Sequence, residues 1–174
     1  MEKIIKIKKL LDDFKLDGYI VPKNDEFFGE YIPENQDNLK FISNFTGSYG
    51  FALILKNKNY IFVDGRYSLQ AKIQCKNFKV ITIPKKLPYH VLGNKKLLIG
   101  FDPKLHTEIM LDRFFIKTKC KLTPINQNLI NTIKSTKNNS KSNFFYKLKD
   151  KYAGESARIK INKVVKDLKK NKVD

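Results

Sequence analysis

The spacing of apolar residues changes several times along this chain, and each change predicts an element. Ile4, Ile7, Leu10, Leu11 and Phe14 recur at helical spacing with lysines between them, which predicts an amphipathic helix over residues 2–15. Leu16-Asp17-Gly18 then turns the chain into Tyr19-Ile20-Val21-Pro22, an apolar run whose end is set by the proline. A polar loop over 23–35 leads to a second helix over 38–44. Two apolar runs, 50–55 and 60–63, are joined by Lys56-Asn57-Lys58-Asn59, the pattern of a β-hairpin with a polar turn. The series continues with a helix over 65–75 and a strand over 78–83 stopped at Pro84. A strand over 97–101 ends at Asp102-Pro103, and a helix over 107–117 and a last short strand over 121–123 follow. Strands and helices alternate, so the pattern predicts an α/β fold in three layers, and the antiparallel hairpin makes its sheet mixed.

From Asn126 to Lys151 the chain becomes rich in Asn, Lys and Ser, with residues 135–142 as its polar centre, which reads as a linker. Beyond it Ala157, Ile161, Val164, Val165 and Leu168 fall on one face, predicting a helix over 154–170 with Gly154 before its first turn. The expected division is a domain over 1–136, a polar linker over 137–151 and a helical segment over 152–174.

Composition narrows the class. With 41% apolar residues, 13 Phe and 8 Tyr, the chain can fill a packed core, which argues against disorder throughout. Its 174 residues hold one full domain and little more. No run approaches the roughly 18–20 apolar residues of a membrane span, and the first fourteen residues are too rich in lysine for a signal peptide. A soluble, cytoplasmic protein without membrane association is expected. Cys75 and Cys120 lack the paired spacing of a zinc site, so free reduced thiols are expected. The net charge of +18 invites a nucleic-acid reading. Against that reading, the lysines are scattered through every segment and Arg occurs only at positions 66, 113 and 158, so a solvated basic surface is favoured over nucleic-acid binding.

Three motifs could carry chemistry. In Asp64-Gly65-Arg66-Tyr67, Arg66 could bind a carboxylate bidentately; alternatively Asp64 caps a helix beginning at Gly65, while Arg66 and Tyr67 tie that helix to the sheet. The second reading is favoured because Asp before a helix is a frequent cap. Phe45-Thr46-Gly47-Ser48-Tyr49-Gly50 has neither the GxxxxGK[ST] nor the GxGxxG spacing of a phosphate loop, and its small residues suit a sharp helix-to-strand bend. A Ser48 nucleophile would need His90 or His106, neither of which sits in a motif that presents it. Asp25, Glu26 and Glu30 place three carboxylates in one loop; without a neighbouring His or a further acidic cluster they read as solvated, and no metal site is expected.

The blocks Asp17-Gly18-Tyr19-Ile20-Val21-Pro22, Asp25 to Glu30-Tyr31, Phe45 to Gly50 and Asp64-Gly65-Arg66-Tyr67, followed by Leu69-Gln70-Ala71, stand in one order at close spacing. In that order the chain resembles the N-terminal domain of cytosolic Xaa-Pro aminopeptidases (aminopeptidase P), relatives of creatinase and prolidase. Gly100-Phe101-Asp102-Pro103 fits the family's late-strand turn, and Tyr152-Ala153-Gly154-Glu155-Ser156 fits the entry into its second domain. The resemblance implies the creatinase N-terminal fold, a ribonuclease H-like mixed sheet of six strands with helices on both faces, followed by the first helix of a second domain. It also implies that the chemistry belongs to a metallopeptidase domain absent from this sequence, where two divalent ions, typically manganese, serve to remove the residue preceding proline. The chain is then a fragment, inactive alone and without a cofactor of its own, that works with a catalytic domain in cis or on a separate chain, or as part of a homo-oligomer.

Under this resemblance no residue here is catalytic and none binds metal. Asp25, Glu30, Tyr31, Arg66 and Tyr67 are the candidates for a rim facing substrate or other domains, and Gly47, Ser48, Gly50, Asp64 and Gly65 are the structural signature. The chain departs from the family at Phe27, where relatives usually carry His, and at Asn38, where they carry Arg; it also lacks the Trp often found near Ile133. The alternative readings are a basic, non-enzymatic module for nucleic acid or an acidic partner, and a decayed gene remnant.

Overall fold

In the computed structural model, which describes residues 2–134 and 147–173, the first amphipathic run forms helix α1 (Glu2–Asp13). Ile4, Ile7 and Leu11 are buried, and the lysines lie on the opposite face. The helix ends where Lys15 takes a left-handed backbone (φ 54°). The amides of Lys15 and Leu16 then bond back to the carbonyls of Asp12 and Leu11, at 3.0 and 2.8 Å, satisfying groups the helix end leaves open.

The remaining elements of the first unit follow in chain order as β1 (Gly18–Pro22), α2 (Asn38–Ser43), β2 (Gly50–Leu55), β3 (Asn59–Asp64), α3 (Ser68–Gln74) and β4 (Lys79–Ile83). Then come α4 (Pro88–Leu92), β5 (Leu98–Phe101), α5 (Glu108–Phe115), β6 (Lys121–Pro124) and α6 (Leu129–Ile133). The strands form one six-stranded sheet in the order β4-β3-β2-β1-β5-β6. The hairpin makes β2 antiparallel to β1 and β3, with Val21 opposite Ala52 and Ala52 opposite Ile61, while every other pairing is parallel. Central strands β1, β2 and β3 are buried on both faces, which is why they read as near-continuous apolar runs without alternation.

Two cores sandwich the sheet. On one face Ile4, Ile7, Leu39, Ile42, Ala71, Leu129 and Ile130, from α1, α2, α3 and α6, pack on Tyr19, Val21, Ala52, Ile54, Ile61 and Val63. On the other, Leu92 of α4 and Phe115 of α5 pack on Ile20, Phe51, Leu53, Phe62, Ile81 and Ile99. The fold is thus the mixed six-stranded sheet with helices on both faces that the sequence pattern and the resemblance imply.

Local differences have local causes. The helix expected over 65–75 begins as a 3-10 turn, Gly65–Tyr67, before α3. Helix α4 is short and opens on Pro88, a residue suited to a first helical turn but also to a loop, so a sequence reading passes over it. Helix α6 lies inside a stretch that reads as polar linker. It forms because Asn128 caps it, its side-chain oxygen accepting from the Ile130 and Asn131 amides at 2.9 and 3.1 Å, and because Leu129 and Ile130 bury completely beside α1.

The chain divides into two units, Met1–Lys137 and Asn138–Asp174. The second contains α7 (Asp150–Ala153) and α8 (Ala157–Lys170). Ser156 caps α8 by accepting from the Ile159 amide at 3.4 Å, so the helix begins three residues after the predicted Gly154. Its apolar residues Ile161, Val164, Val165 and Leu168 are exposed. Residues 137–146 of the expected linker lie outside the described residues. No described helix is long and apolar enough to cross a membrane.

Candidate functional site at the strand-end rim

Because β1, β3, β4, β5 and β6 run parallel and β2 runs against them, the last residues of those five strands and the first residue of β2 share one edge of the sheet. Pro22, Gly50, Asp64, Ile83, Phe101 and Pro124 mark it. Open α/β sheets bind ligands outside the carboxyl ends of their strands, and all three sequence motifs arrive at this edge.

At the β1 end the loop is organised from within. Asp25 is buried, and its Oδ1 accepts from the Phe27 and Gly29 amides, both at 3.1 Å, so the carboxylate shapes the loop it belongs to. Asn24 reaches across to donate to the Leu105 carbonyl at 3.0 Å. Asp37 caps α2 through the Lys40 amide (2.9 Å) and pairs with Lys23, both side chains only 9% exposed. Asn38 is also buried, its Oδ1 accepting from Lys134 Nζ at 2.5 Å. Burial pushes the Lys134 ammonium below the usual lysine range. Glu26 faces Lys104 at 3.8 Å, whereas Phe27, Glu30 and Tyr31 project into solvent, Tyr31 88% exposed.

At the β5 end Asp102 is buried and fully engaged. Oδ1 accepts from the Lys104 amide (2.9 Å), capping the 3-10 turn Pro103–Leu105, and Oδ2 accepts from Asn128 Nδ2 (2.7 Å). The Asp102 carbonyl lies 2.8 Å from His106 Nδ1. A carbonyl only accepts, so Nδ1 carries the proton and Nε2, buried with no partner among the described residues, is left as an acceptor. Burial holds the His106 imidazole below its ordinary pKa and pushes the Tyr19 phenol far up, with the Asp102 charge adding to the latter. Asp25, Asp102, Asn128 and neighbouring amide side chains line a polar cleft of about 480 Å³.

The two glycine-bearing motifs meet at the β2 and β3 ends. Thr46 is stitched to α3: its Oγ1 accepts from Gln70 and Gln74 Nε2, each at 2.8 Å, and its amide donates to Gln74 Oε1 at 3.0 Å. Ser48 Oγ bonds the Tyr67 hydroxyl at 2.7 Å, while His90 Nδ1 accepts the Leu87 amide and His106 serves Asp102, so no histidine bonds Ser48. Tyr67 packs edge-on against Phe45 at 5.8 Å, and a Cβ at Gly47 would fall 2.3 Å from the Phe45 ring. At Gly50 it would fall 2.6 Å from the Phe62 carbonyl. Gly65 meets nothing within 4 Å, so no close approach demands glycine there.

Asp64 accepts from the Arg66 amide at 2.9 Å and pairs with the same residue's guanidinium at 2.6 Å, which holds its carboxyl below the usual range. Arg66 itself is 73% exposed. The structure therefore brings Arg66 and Tyr67 together with Ser48 and Gly47, and keeps Asp25, Glu30 and Tyr31 in a separate loop. Asp102, His106 and Arg113, which sequence reading did not single out as site residues, also reach the rim. Asp102 bonds Lys104 and His106 nearby but also Asn128, 26 residues on, and Arg113 shares its cleft with Tyr49, Asp64 and Arg66 from other parts of the chain, so the Asp102-Pro103 turn was the main sequence signal.

Known proteins complete the picture. Residues 3–132 match the family model described as creatinase/prolidase N-terminal domain. A curated relative from Coprinopsis cinerea, described as a probable Xaa-Pro aminopeptidase P, is 30% identical over 178 residues, covering 95% of this chain and 28% of its own length. The fold is shared with an X-prolyl aminopeptidase from Caenorhabditis elegans, described as a cytosolic enzyme with a di-nuclear active site. That likeness has a TM-score of 0.66 at 22% identity and covers 98% of this chain and 31% of that one. It is shared too with the N-terminal domain of a cytoplasmic peptidase from Mycobacterium tuberculosis (TM-score 0.58, 20% identity, 75% of this chain and 97% of that one). The chain spans less than a third of the length of the curated relatives it matches.

Proposed function

Because the chain belongs to the creatinase/prolidase N-terminal domain family, we propose that it serves as the non-catalytic amino-terminal domain of an Xaa-Pro aminopeptidase, a peptidase that removes the residue preceding proline. The observation that carries this reading is the alignment of an aminopeptidase P relative along 95% of this chain, with most of that relative lying outside it. On this reading residues 1–136 are the domain, 137–151 its linker and 152–174 the opening helix of a second domain. The rim carrying Glu30, Tyr31, Arg66 and Tyr67 contributes to the substrate cleft and to contacts between subunits, with Asp25 shaping the loop that presents the first two.

A pair of divalent ions would supply the nucleophile by making a bound water acidic. Among the described residues no three His, Cys, Asp or Glu side chains gather where an ion could be held; on this reading the pair is held outside this chain, and the described residues have another part. They fit instead the work of walling and positioning, in a cytoplasmic enzyme.

The test is to capture the endogenous product with an antibody to this domain, measure its intact mass, and assay it on Arg-Pro-Pro with manganese. A mass far above 20.3 kDa together with release of arginine is expected. The reading fails if the 174-residue chain cleaves the tripeptide by itself, or if the long product leaves it intact.

A further inference from the structure

Both arginines of the first unit line one cleft, and only one of them is already paired. The cleft, about 430 Å³, is bounded by Asp64, Arg66 and Arg113 together with Tyr49, Phe114 and the apolar residues Ile83, Pro84 and Leu87. Arg66 is neutralised by Asp64. Arg113 has no acidic partner among the described residues and lies over the Phe114 ring, 5.6 Å from its centre. With Arg66 already paired, Arg113 is the guanidinium of the cleft left to take a carboxylate in a two-pronged pair.

The chemistry beside that charge narrows the ligand further. Ile83, Pro84, Leu87 and Phe114 line the same cleft as the guanidinium, so a ligand here offers a carboxylate and an apolar group within one residue's reach. The last residue of a peptide does this, because its free carboxylate and its side chain leave the same Cα. An internal Asp or Glu spends its side chain on the charge and has no apolar group to add.

Tyr49 and Phe114 also line a second, smaller cavity of about 60 Å³, walled by Ile20, Phe51, Met110 and His106. Because the two cavities share Tyr49 and Phe114 they adjoin, and alternate side chains of an extended peptide, about 7 Å apart, can reach both.

We propose that these adjoining cavities bind the carboxyl-terminal end of a short peptide. Arg113 takes the free carboxylate, Ile83, Pro84, Leu87 and Phe114 receive an apolar last side chain, and the smaller cavity takes a side chain from about two residues earlier. The site belongs to the first unit alone and does not depend on the role proposed for the chain in a longer enzyme.

Amide and imidazole resonances of the 174-residue chain, titrated with Ala-Ala-Leu, test this directly. Saturable shifts are expected at Tyr49, Arg113, Phe114 and His106, and R113Q, a change at an exposed position, is expected to weaken binding by about tenfold or more. The carboxyl amide of the same tripeptide should lose binding to a similar degree. Several outcomes overturn the proposal: no saturable shift at the rim, equal binding of the amide, equal binding of an internal-aspartate peptide with a blocked terminus, or tighter binding of inorganic phosphate. Full affinity retained in R113Q would also overturn it.

Discussion

The rim has two halves that use polar residues in opposite ways. Around the ends of β1 and β5, Asp25, Asp37 and Asp102 are buried, and their oxygens accept from backbone amides, Lys23 or Asn128. Around the ends of β2, β3 and β4, Arg66 and Arg113 are exposed and rest on aromatic rings. The first half spends its charges on holding loops in place; the second keeps charge in reach of a ligand. Substitutions in the first half should therefore cost stability, and those in the second should cost binding alone.

The sharpest way to break the comparison is at Lys23. Lys23→Met leaves the buried Asp37 carboxylate without its partner while α2 still draws on it as a cap, and a loss of about 3–5 kcal/mol is expected in urea unfolding. Lys23→Met with Asp37→Asn removes the stranded charge but keeps an oxygen for the Lys40 amide, so it should recover a large part. If the single change costs under about 1 kcal/mol, as an exposed pair would, this half of the rim is not locked by its charges.

Asp102→Ala comes next. It removes the cap of the Pro103–Leu105 turn and strands Asn128, with an expected loss of about 1–3 kcal/mol in the same unfolding measurement. Because Asn128 also caps α6, hydrogen exchange of the Ile130 and Asn131 amides should quicken more than that of the β2 amides.

These two sites also show what was legible beforehand. The sheet could be read because each buried strand is a continuous apolar run bounded by Pro, Gly or Asp, and α1 because its buried positions repeat at helical spacing. Helix α6 was not, since five residues in an Asn-rich stretch carry no period, and their burial depends on α1 more than a hundred residues earlier. At the site, Asp64 stood out because its cap and partner are two residues away. Arg113 did not, because Tyr49, Arg66 and Pro84 reach it only once β2, β3 and β4 have paired.

His106 sits where the halves meet, and pH tests it. Its pKa is held below the unfolded value of 6.5 by burial, so the unfolded chain takes up a proton first as the medium acidifies. Its contribution is complete above about pH 6.5 and is lost as pH falls through the lower folded value. The urea midpoint should drop between pH 7.5 and 5.5, and His106→Asn should flatten that slope. An unchanged slope in the variant would place the acid sensitivity elsewhere.

The smallest stability effect should come from Arg113, and its smallness is what makes the comparison useful. Its guanidinium makes no ion pair among the described residues, and removing an exposed charge without a fixed partner changes folding stability by less than about 0.5 kcal/mol. R113Q should therefore unfold at the wild-type urea concentration while losing most of its affinity for Ala-Ala-Leu. A loss approaching that of Asp102→Ala would show that Arg113 holds α5 against the sheet, and the two halves of the rim would then differ in exposure alone and not in purpose.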